Sequence, residues 1–269
     1  MAKSSLITLL TDFGYSDPFV GVMKGVILNI CPEVRIIDIT HSIAPQNIDE
    51  AAFKLKSSYS YFPKDTIHTV VVDPGVGTDR AILGVQTDSY TFLAPDNGVL
   101  KTIFHEHPDC RIYRITNSDY FLPNVSRTFH GRDVFAPAAA HLARGVTLSE
   151  MGEMTREYVR GKIASCEVEG NRIEGQIVAF DRFGNGITNI EEEKIDKTKK
   201  IRIEIKSVKL DRLSQSYQAV SDGEPLAIIG SSGTIEIAVN RQSAKEKLNL
   251  QPGDSVTVVR EQDEISHGK

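Results

Sequence analysis

The sequence is poor in cysteine, and the three it has, Cys31, Cys110 and Cys166, lie far apart and form no CxxC or Cys/His cluster. That spacing argues against a disulfide framework and a structural zinc site, and points to a reducing, cytoplasmic setting. Long apolar runs are missing as well. No stretch approaches the length needed to cross a bilayer, and the opening MAKSSLITLLTDFG carries a lone Lys3 and an apolar run too short for a signal peptide. Nor is there an excess of positive charge. A net charge of -5 with both signs interspersed argues against a nucleic-acid partner and for a small molecule or a second copy of the chain. HExxH, DxDG, GxSxG, Walker and GxGxxG patterns are all absent, as are internal repeats, low-complexity tracts and flexible linkers.

What is present suffices for one large domain or two smaller ones: 269 residues, 40% of them hydrophobic. The chain is organised around residues 67–80, IHTVVVDPGVGTDR. The β-branched run reads as a strand buried on both faces of a parallel sheet. Pro74, Gly75 and Gly77 then block an immediate helix, so Asp73 is presented at a strand's carboxyl end, the edge where ligands bind in open α/β sheets. Arg80 is long enough to reach back to Asp73. An ordinary strand-end turn closed by an ion pair is the plain alternative.

Taken in order, LITLL is a first strand that delivers Asp12 before Gly14. FVGVMKGVILNIC then places Val22, Val26, Ile27 and Ile30 at helical spacing, with Pro32 as the stop. VRIIDI, residues 34–39, is a second strand with Thr40, His41 and Ser42 at its end, and residues 48–61 read as a helix with Asp49 and Glu50 in its first turn. AILGVQT and YTFLAP form a hairpin across Asp88 and Ser89, the second strand delivering Asp96 and Asn97. CRIYRIT is another strand, and TFHGRD leads into an Ala-rich helix stopped by Gly145, with His130 at its start. After about residue 160 strands alternate: EVEGNRIEGQIVAFD, KIRIEIKSVKL, EPLAIIG, GTIEIAVN and DSVTVVR, with residues 181–189 and 230–233 as polar loops. The expected architecture is an α/β domain over residues 1–160 with a mainly parallel sheet, and a smaller all-β sandwich or barrel over 161–269. The two are expected to pack closely.

Asp12, Asp73 with Arg80, Asp96 with Asn97, and His130 all follow strands or precede a helix on the same sheet edge. Each taken singly reads as a cap or a turn. Together they make a carboxylate-rich pocket suited to a cationic or hydroxyl-rich ligand such as a ribose. Metal binding competes for the same groups. His68, Asp73, His105, His107 and His130 are ligand types, but the HxH of FHEHPD reads as a solvated helix end, and His and Asp serve acid–base chemistry without a metal. His141, on the Ala-rich helix, reads as structural.

LLTDFG, VVVDPGVGTDR, APDNGVL, TFHGRDVFAP, FDRFGNGITNI and SSGTIEIAVN span nearly the whole chain in the order found in the S-adenosylmethionine hydroxide adenosyltransferase family, relatives of the bacterial fluorinase and chlorinase. The chain resembles that family across both halves. The resemblance implies an enzyme that converts S-adenosylmethionine and water to adenosine and methionine, with the catalytic signature falling on Asp73, Arg80 and His130. It implies Asp12 at the ribose hydroxyls and Asp17 near the methionine end, with Asn185, Ser231 and Ser232 supplied by the second domain. Asp96, Asn97, Phe129, Asp181, Phe183, Glu236 and Val239 complete the implied substrate-binding set. It further implies a homotrimer with sites at subunit interfaces, no metal and no organic cofactor, and no nucleic-acid or membrane partner. The fluorinase has Tyr where this chain has Asp73 and His130, and Ser where it has Gly131, so a water-orienting site is expected in place of a halide pocket. A chloride-using relative, a non-catalytic sensor of S-adenosylmethionine or adenosine, and a metal-dependent hydrolase are the rivals.

Overall fold

In the computed structural model, which describes residues 5–196 and 199–260, the chain divides into two compact units, Met1–Ile163 and Ala164–Lys269. Lys3 of the opening segment lies outside the described residues.

Unit 1 is built on β1 (Leu6–Thr11), β2 (Arg35–Thr40), β3 (Ile67–Val71), β4 (Ile82–Gln86), β5 (Thr91–Pro95), β6 (Arg111–Ile115) and β7 (Gly152–Met154), in the spatial order β2-β1-β3-β5-β4-β6-β7. The β1–β2, β1–β3 and β3–β5 pairs are parallel, and the β4–β5, β4–β6 and β6–β7 pairs antiparallel. The sheet is therefore mixed rather than mainly parallel. The hairpin across Asp88 and Ser89 folds β4 back beside β5, where it separates β5 from β6 and reverses the pairing on that side. The parallel half leaves the carboxyl ends of β1, β2, β3 and β5 at one edge.

Both faces of the sheet are covered, as a sheet with parallel central strands requires. Ile7 and Leu9 of β1 pack with α1 (Phe19–Ile30) and the Ala-rich α4 (Ala136–Ala143), while Leu10 faces the other way, toward α2 (Ile48–Lys56) and α3 (Lys101–Glu106). Helix α1 buries Val20, Met23 and Ile27, with Val26 and Ile30 against the same core. Val22, expected on that stripe, is 37% exposed, because Met23 takes the inward position. Helix α2 starts where the Asn47 side chain accepts from the Glu50 amide at 3.1 Å. Its expected run to Tyr61 stops at Lys56. The hydroxyls of Ser57 and Ser58 bond back to the carbonyls of Phe53 and Lys54 at 2.9 and 2.7 Å, and a separate 3₁₀ turn covers Tyr59–Tyr61. A short α5 (Leu148–Met151), closed by a Thr147–Glu150 capping box, precedes β7.

Unit 2 contains β8 (Glu167–Glu169), β9 (Arg172–Phe180), β10 (Gly186–Glu191), β11 (Ile201–Ile205), β12 (Val208–Leu210), β13 (Leu213–Ser214), β14 (Pro225–Ile229), β15 (Thr234–Val239), the short α6 (Ala244–Lys247) and β16 (Ser255–Arg260). The strands form one strongly curled sheet, order β12-β11-β16-β9-β10-β15-β14-β13, with β8 pairing onto β9. Its inner face is an isoleucine- and valine-rich core that includes Ile173, Ile177, Ile203, Ile235, Ile237 and Val258. Two of the expected single strands are hairpins, β8–β9 turning at Gly170 and β11–β12 at Lys206, both at positive φ. The polar loop expected through Asn189 ends at Asn185, and β10 begins at Gly186. Thr188 and Asn189 fit a strand because their side-chain oxygens accept from the backbone amides of Ile190 and Gln176 at 3.1 and 2.7 Å. Among the described residues no helix is long and apolar enough to cross a membrane.

Candidate active site

Asp73 sits just beyond β3, whose five residues are all buried, and the intervening Val72 is fully buried. The chain then turns tightly: Val76 N–H donates to the Asp73 carbonyl and Thr78 N–H to the Gly75 carbonyl, each at 3.2 Å. Gly77 is required twice over. Its φ is +78°, and a Cβ there would lie 2.3 Å from the carbonyl oxygen of Arg127. The turn is thus pressed against the segment that leads to His130.

Arg80 closes the turn onto Asp73 through a fork. Its Nε donates to both carboxylate oxygens at 2.9 Å, and Nη2 donates to Oδ2. The pair is nearly sealed from solvent, with side-chain exposures of 9% for Arg80 and 5% for Asp73. The other Nη2 hydrogen meets His130 Nδ1 at 2.8 Å. The Phe135 ring lies 5.8 Å from Arg80 Cζ and backs the guanidinium plane.

This geometry assigns the protonation of His130. An arginine only donates, so Nδ1 is an acceptor and the ring proton of neutral His130 resides on Nε2. Burial and the neighbouring Arg80 charge hold its pKa below the usual histidine value, against the upward pull of Asp73, Asp133 and the Ser126 backbone. His130 is therefore the neutral third member of an Asp–Arg–His line. Two valences remain open among the described residues: the N–H groups of Arg80 Nη1, and a lone pair of Asp73 Oδ1, which receives one contact where Oδ2 receives two.

His130 is placed by a π-helical stretch, Gly131–Phe135, that runs into α4. The wide turn is held by Asp133, which is fully buried and which the sequence reading did not single out. Its carboxylate accepts from Ser126 N–H at 2.8 Å and from Arg132 Nε and Nη2 at 2.6 and 3.1 Å. Burial pulls that carboxyl upward, but Arg132 and Ser126 outweigh it and leave it below the usual carboxylate range. Phe129 packs edge-on against Phe13 and Phe19, at ring separations of 5.9 and 5.0 Å.

The remaining sequence-derived residues fall into distinct settings. Asp12, one step past β1, accepts from Gln46 N–H at 2.8 Å through Oδ2, and its Oδ1 has no partner among the described residues. Asp17 is exposed. Asn97 uses its amide inside the fold, donating to the Val72 carbonyl at 2.9 Å and accepting from Val99 N–H at 3.2 Å, and so braces the strand end that presents Asp73. Asp96 accepts from Val159 N–H at 2.8 Å, and burial raises its pKa. His68 lies in an aromatic cluster with Tyr59, Phe62, Tyr90 and Phe92, bonded to Thr8 at 2.8 Å, and burial drives its pKa down to about 3. His105 is exposed on the last turn of α3, whereas His107 meets the Tyr59 hydroxyl at 3.0 Å. His141 packs on Tyr120. Among the described residues no three His, Cys, Asp or Glu side chains gather as a metal set.

Unit 2 carries its own polar cluster. Asp181 Oδ1 accepts from the amides of Phe183 and Asn185, and Oδ2 from the Asn185 side chain at 2.8 Å, which leaves Phe183 projecting at 78% exposure. Ser231 and Ser232 are exposed at the β14–β15 turn. Glu236 is buried beneath that turn, where its only hydrogen bond among the described residues comes from the Tyr217 hydroxyl at 3.1 Å; burial raises its pKa, and Tyr217 is pushed up to about 12. Val239 points into the core at 3% exposure, so its side chain lines no open surface. A cavity of about 240 Å³ is lined by Ser5, Arg35 and Lys64 at the amino ends of β1 to β3, the edge opposite Asp73.

Comparison with known proteins is consistent over nearly the whole chain. The model of the SAM hydroxide adenosyltransferase N-terminal domain matches residues 7–152, and that of the C-terminal domain matches residues 175–257. The (R)-S-adenosyl-L-methionine hydrolase of Thermus thermophilus is 34% identical over 260 residues, covering 94% of this chain and 99% of the relative. The fluorinase of an Actinoplanes species is 28% identical, covering 95% and 97%. The crystal structure of a conserved protein from Thermotoga maritima superposes with a TM-score of 0.88 at 37% identity, covering 94% of this chain and all of that one.

Proposed function

The chain belongs to the SAM hydroxide adenosyltransferase family, and from that premise we propose that it hydrolyses S-adenosyl-L-methionine to adenosine and L-methionine by in-line attack of a water on C5′. The observation that carries the proposal is the Asp73–Arg80–His130 line, in which an ion pair and a neutral imidazole are locked together at the carboxyl edge of the parallel strands.

The sulfonium leaves as a neutral thioether, so no acid is needed on departure and the difficulty lies in the nucleophile. Bulk water ionises with a pKa of about 15.7. A water that donates to the open lone pair of Asp73 Oδ1 is positioned and partly deprotonated as its oxygen bonds to carbon, while the Nε and Nη2 fork of Arg80 holds that carboxylate in place. The C5′–S pair departs with methionine, one water proton remains on the new 5′-hydroxyl, and the other passes to the carboxylate and then to solvent. His130 holds the guanidinium through its lone pair rather than taking the proton. Asp12, with its open Oδ1, is the group for the ribose hydroxyls. Attack on a cation neutralises charge, which a sparsely solvated carboxylate–guanidinium pair favours.

The fluorinase relatives make a halide the second reading, and the buried carboxylate of Asp73 speaks against an anion in that place. Homotrimeric assembly, cytoplasmic location and independence from metal and organic cofactors are parts of the same proposal; light scattering tests the first. The central test is turnover of S-adenosylmethionine by chelator-treated protein in ¹⁸O-water, with Asp73→Ala alongside. Adenosine labelled at its 5′ oxygen, formed by the parent and lost in the variant, is the expected result. Unconsumed substrate in the parent, chloride-dependent product, or activity regained only with a divalent ion would each overturn a stated part of it.

A further inference from the structure

His41 takes no part in the chemistry above, yet it is fully buried. It follows β2 directly, and β2 and β1 are parallel neighbours, so His41 lies beside Thr11 at the same sheet edge as Asp12. Its Nδ1 meets Thr11 Oγ1 at 2.8 Å, and its backbone carbonyl accepts from Gly14 N–H at 2.8 Å. Thr11 Oγ1 in turn accepts from Phe13 N–H at 3.2 Å. Both ends of the turn that carries Asp12 are therefore tied to one imidazole residue. Tyr15 stacks edge-on against the ring, 5.2 Å away, and closes it from above.

The far side of the ring is held by charge. Nε2 lies 3.1 Å from Asp38 Oδ1, off the axis of a good hydrogen bond, and Lys24 of α1 donates to Asp38 Oδ2 at 2.6 Å. The ionised Asp38 carboxylate can only accept, so the proton of neutral His41 sits on Nε2, toward it, and Nδ1 accepts from the Thr11 O–H. Burial lowers the His41 pKa, consistent with that neutral form, while Lys24 and His41 hold Asp38 low against its own burial. The resulting line, Lys24–Asp38–His41–Thr11, has one definite polarity and ends on the turn of Asp12.

We infer that His41 is a positioning residue: it fixes the Thr11–Gly14 turn so that the open carboxylate oxygen of Asp12 meets a ribose hydroxyl. A second consequence follows from Phe13, whose ring packs on Phe129 beside His130, so that the same clasp steadies the ribose end and the water-activating end together. The inference rests on the reading of Asp12 as the ribose-binding carboxylate.

The test is calorimetric binding of adenosine, 2′-deoxyadenosine and 3′-deoxyadenosine to the full-length protein, its His41→Phe and His41→Asn variants, and Thr11→Val, with turnover measured in parallel. The parent is expected to prefer adenosine over at least one deoxynucleoside by about tenfold, the weight of one hydrogen bond to a charged group. His41→Phe keeps the ring volume and loses both polar atoms, and should reduce that preference to within about twofold. His41→Asn, which retains an acceptor near the Nδ1 position, should restore most of it. A purely structural role would weaken all the nucleosides alike and leave the ratio unchanged. If His41→Phe fails to fold, Thr11→Val carries the same comparison. An unchanged ratio in a folded variant overturns the assignment. A His41-dependent ratio in a protein that never consumes S-adenosylmethionine supports it and overturns the hydrolase reading alone.

Discussion

Replacing Arg80 by lysine is the most informative single perturbation, because it keeps the charge and removes only the fork. In the native arrangement the guanidinium delivers Nε to both oxygens of Asp73, Nη2 to Oδ2, and the second Nη2 hydrogen to His130 Nδ1. A lysine ammonium is a point charge that can fill one of these positions. About two charge-assisted bonds are lost, at ~1.5–3 kcal/mol each, and with part of this returned by relaxation and water the net loss in the transition state is ~2–4 kcal/mol. At 1.36 kcal/mol per decade that is a fall in kcat of roughly 30- to 1,000-fold. Stability should change less than the ~3–5 kcal/mol typical of removing one partner from a buried pair, since Asp73 keeps a cation nearby. The assay is steady-state release of adenosine, followed chromatographically, with a thermal melt of each protein. A variant that melts with the parent and retains kcat within about threefold would refute the argument that bidentate geometry, rather than charge, is what the site needs.

Other outcomes follow from the same structure. If His130 serves as a lone-pair acceptor for Arg80, His130→Asn should keep kcat within about tenfold of the parent, while His130→Ala should lose on the order of a hundredfold, a typical scale for a positioned catalytic group; equal losses would point to a general base instead. Gly77→Ala must adopt a positive φ and push against the Arg127 carbonyl, so it should cost more than ~1–2 kcal/mol in urea unfolding and depress kcat by separating the Arg80 and His130 segments; an unchanged midpoint would contradict this. His68 is neutral when folded, with its pKa near 3, and titrates at about 6.5 when unfolded. Its folded pKa is depressed, so the unfolded state binds the extra proton, and stability is full above pH 6.5 and lost as pH falls toward 3, at about 1.4 kcal/mol per pH unit. Urea unfolding from pH 7 to 4.5 should show that slope reduced by about one proton in a His68→Phe, Thr8→Val double variant, which also removes the hydroxyl that would be left unpaired.

Much of this protein was legible in the order of its residues. A β-branched run closed by Asp-Pro-Gly can hardly be anything but a strand that ends abruptly, and the same logic located Asp12 and Asp96, because chain stiffness and turn chemistry are short-range properties. The Asp73–Arg80 pairing was legible for the same reason, its members lying on a single turn. Where polar side chains satisfy their own strand, as Thr188 and Asn189 do in β10, the pattern looks like a loop, and only the neighbouring strands reveal otherwise. Nor does the local pattern determine sheet direction: the hairpin between β4 and β5 was visible, but not that β4 would come to lie between β5 and β6.

By itself, then, the sequence determined where the strands leading to Asp12, Asp73 and Asp96 end, and the family to which the chain belongs. Only the tertiary structure decided which groups share protons. His130 acquires its tautomer from an arginine fifty positions away, Asn97 braces the Val72 carbonyl across another strand end, and His41 clasps the turn of Asp12 from the neighbouring strand. The physical reason is that backbone preference acts over a few residues, whereas the state of a buried polar group depends on whichever donors and acceptors the packed fold sets within about 3 Å of it.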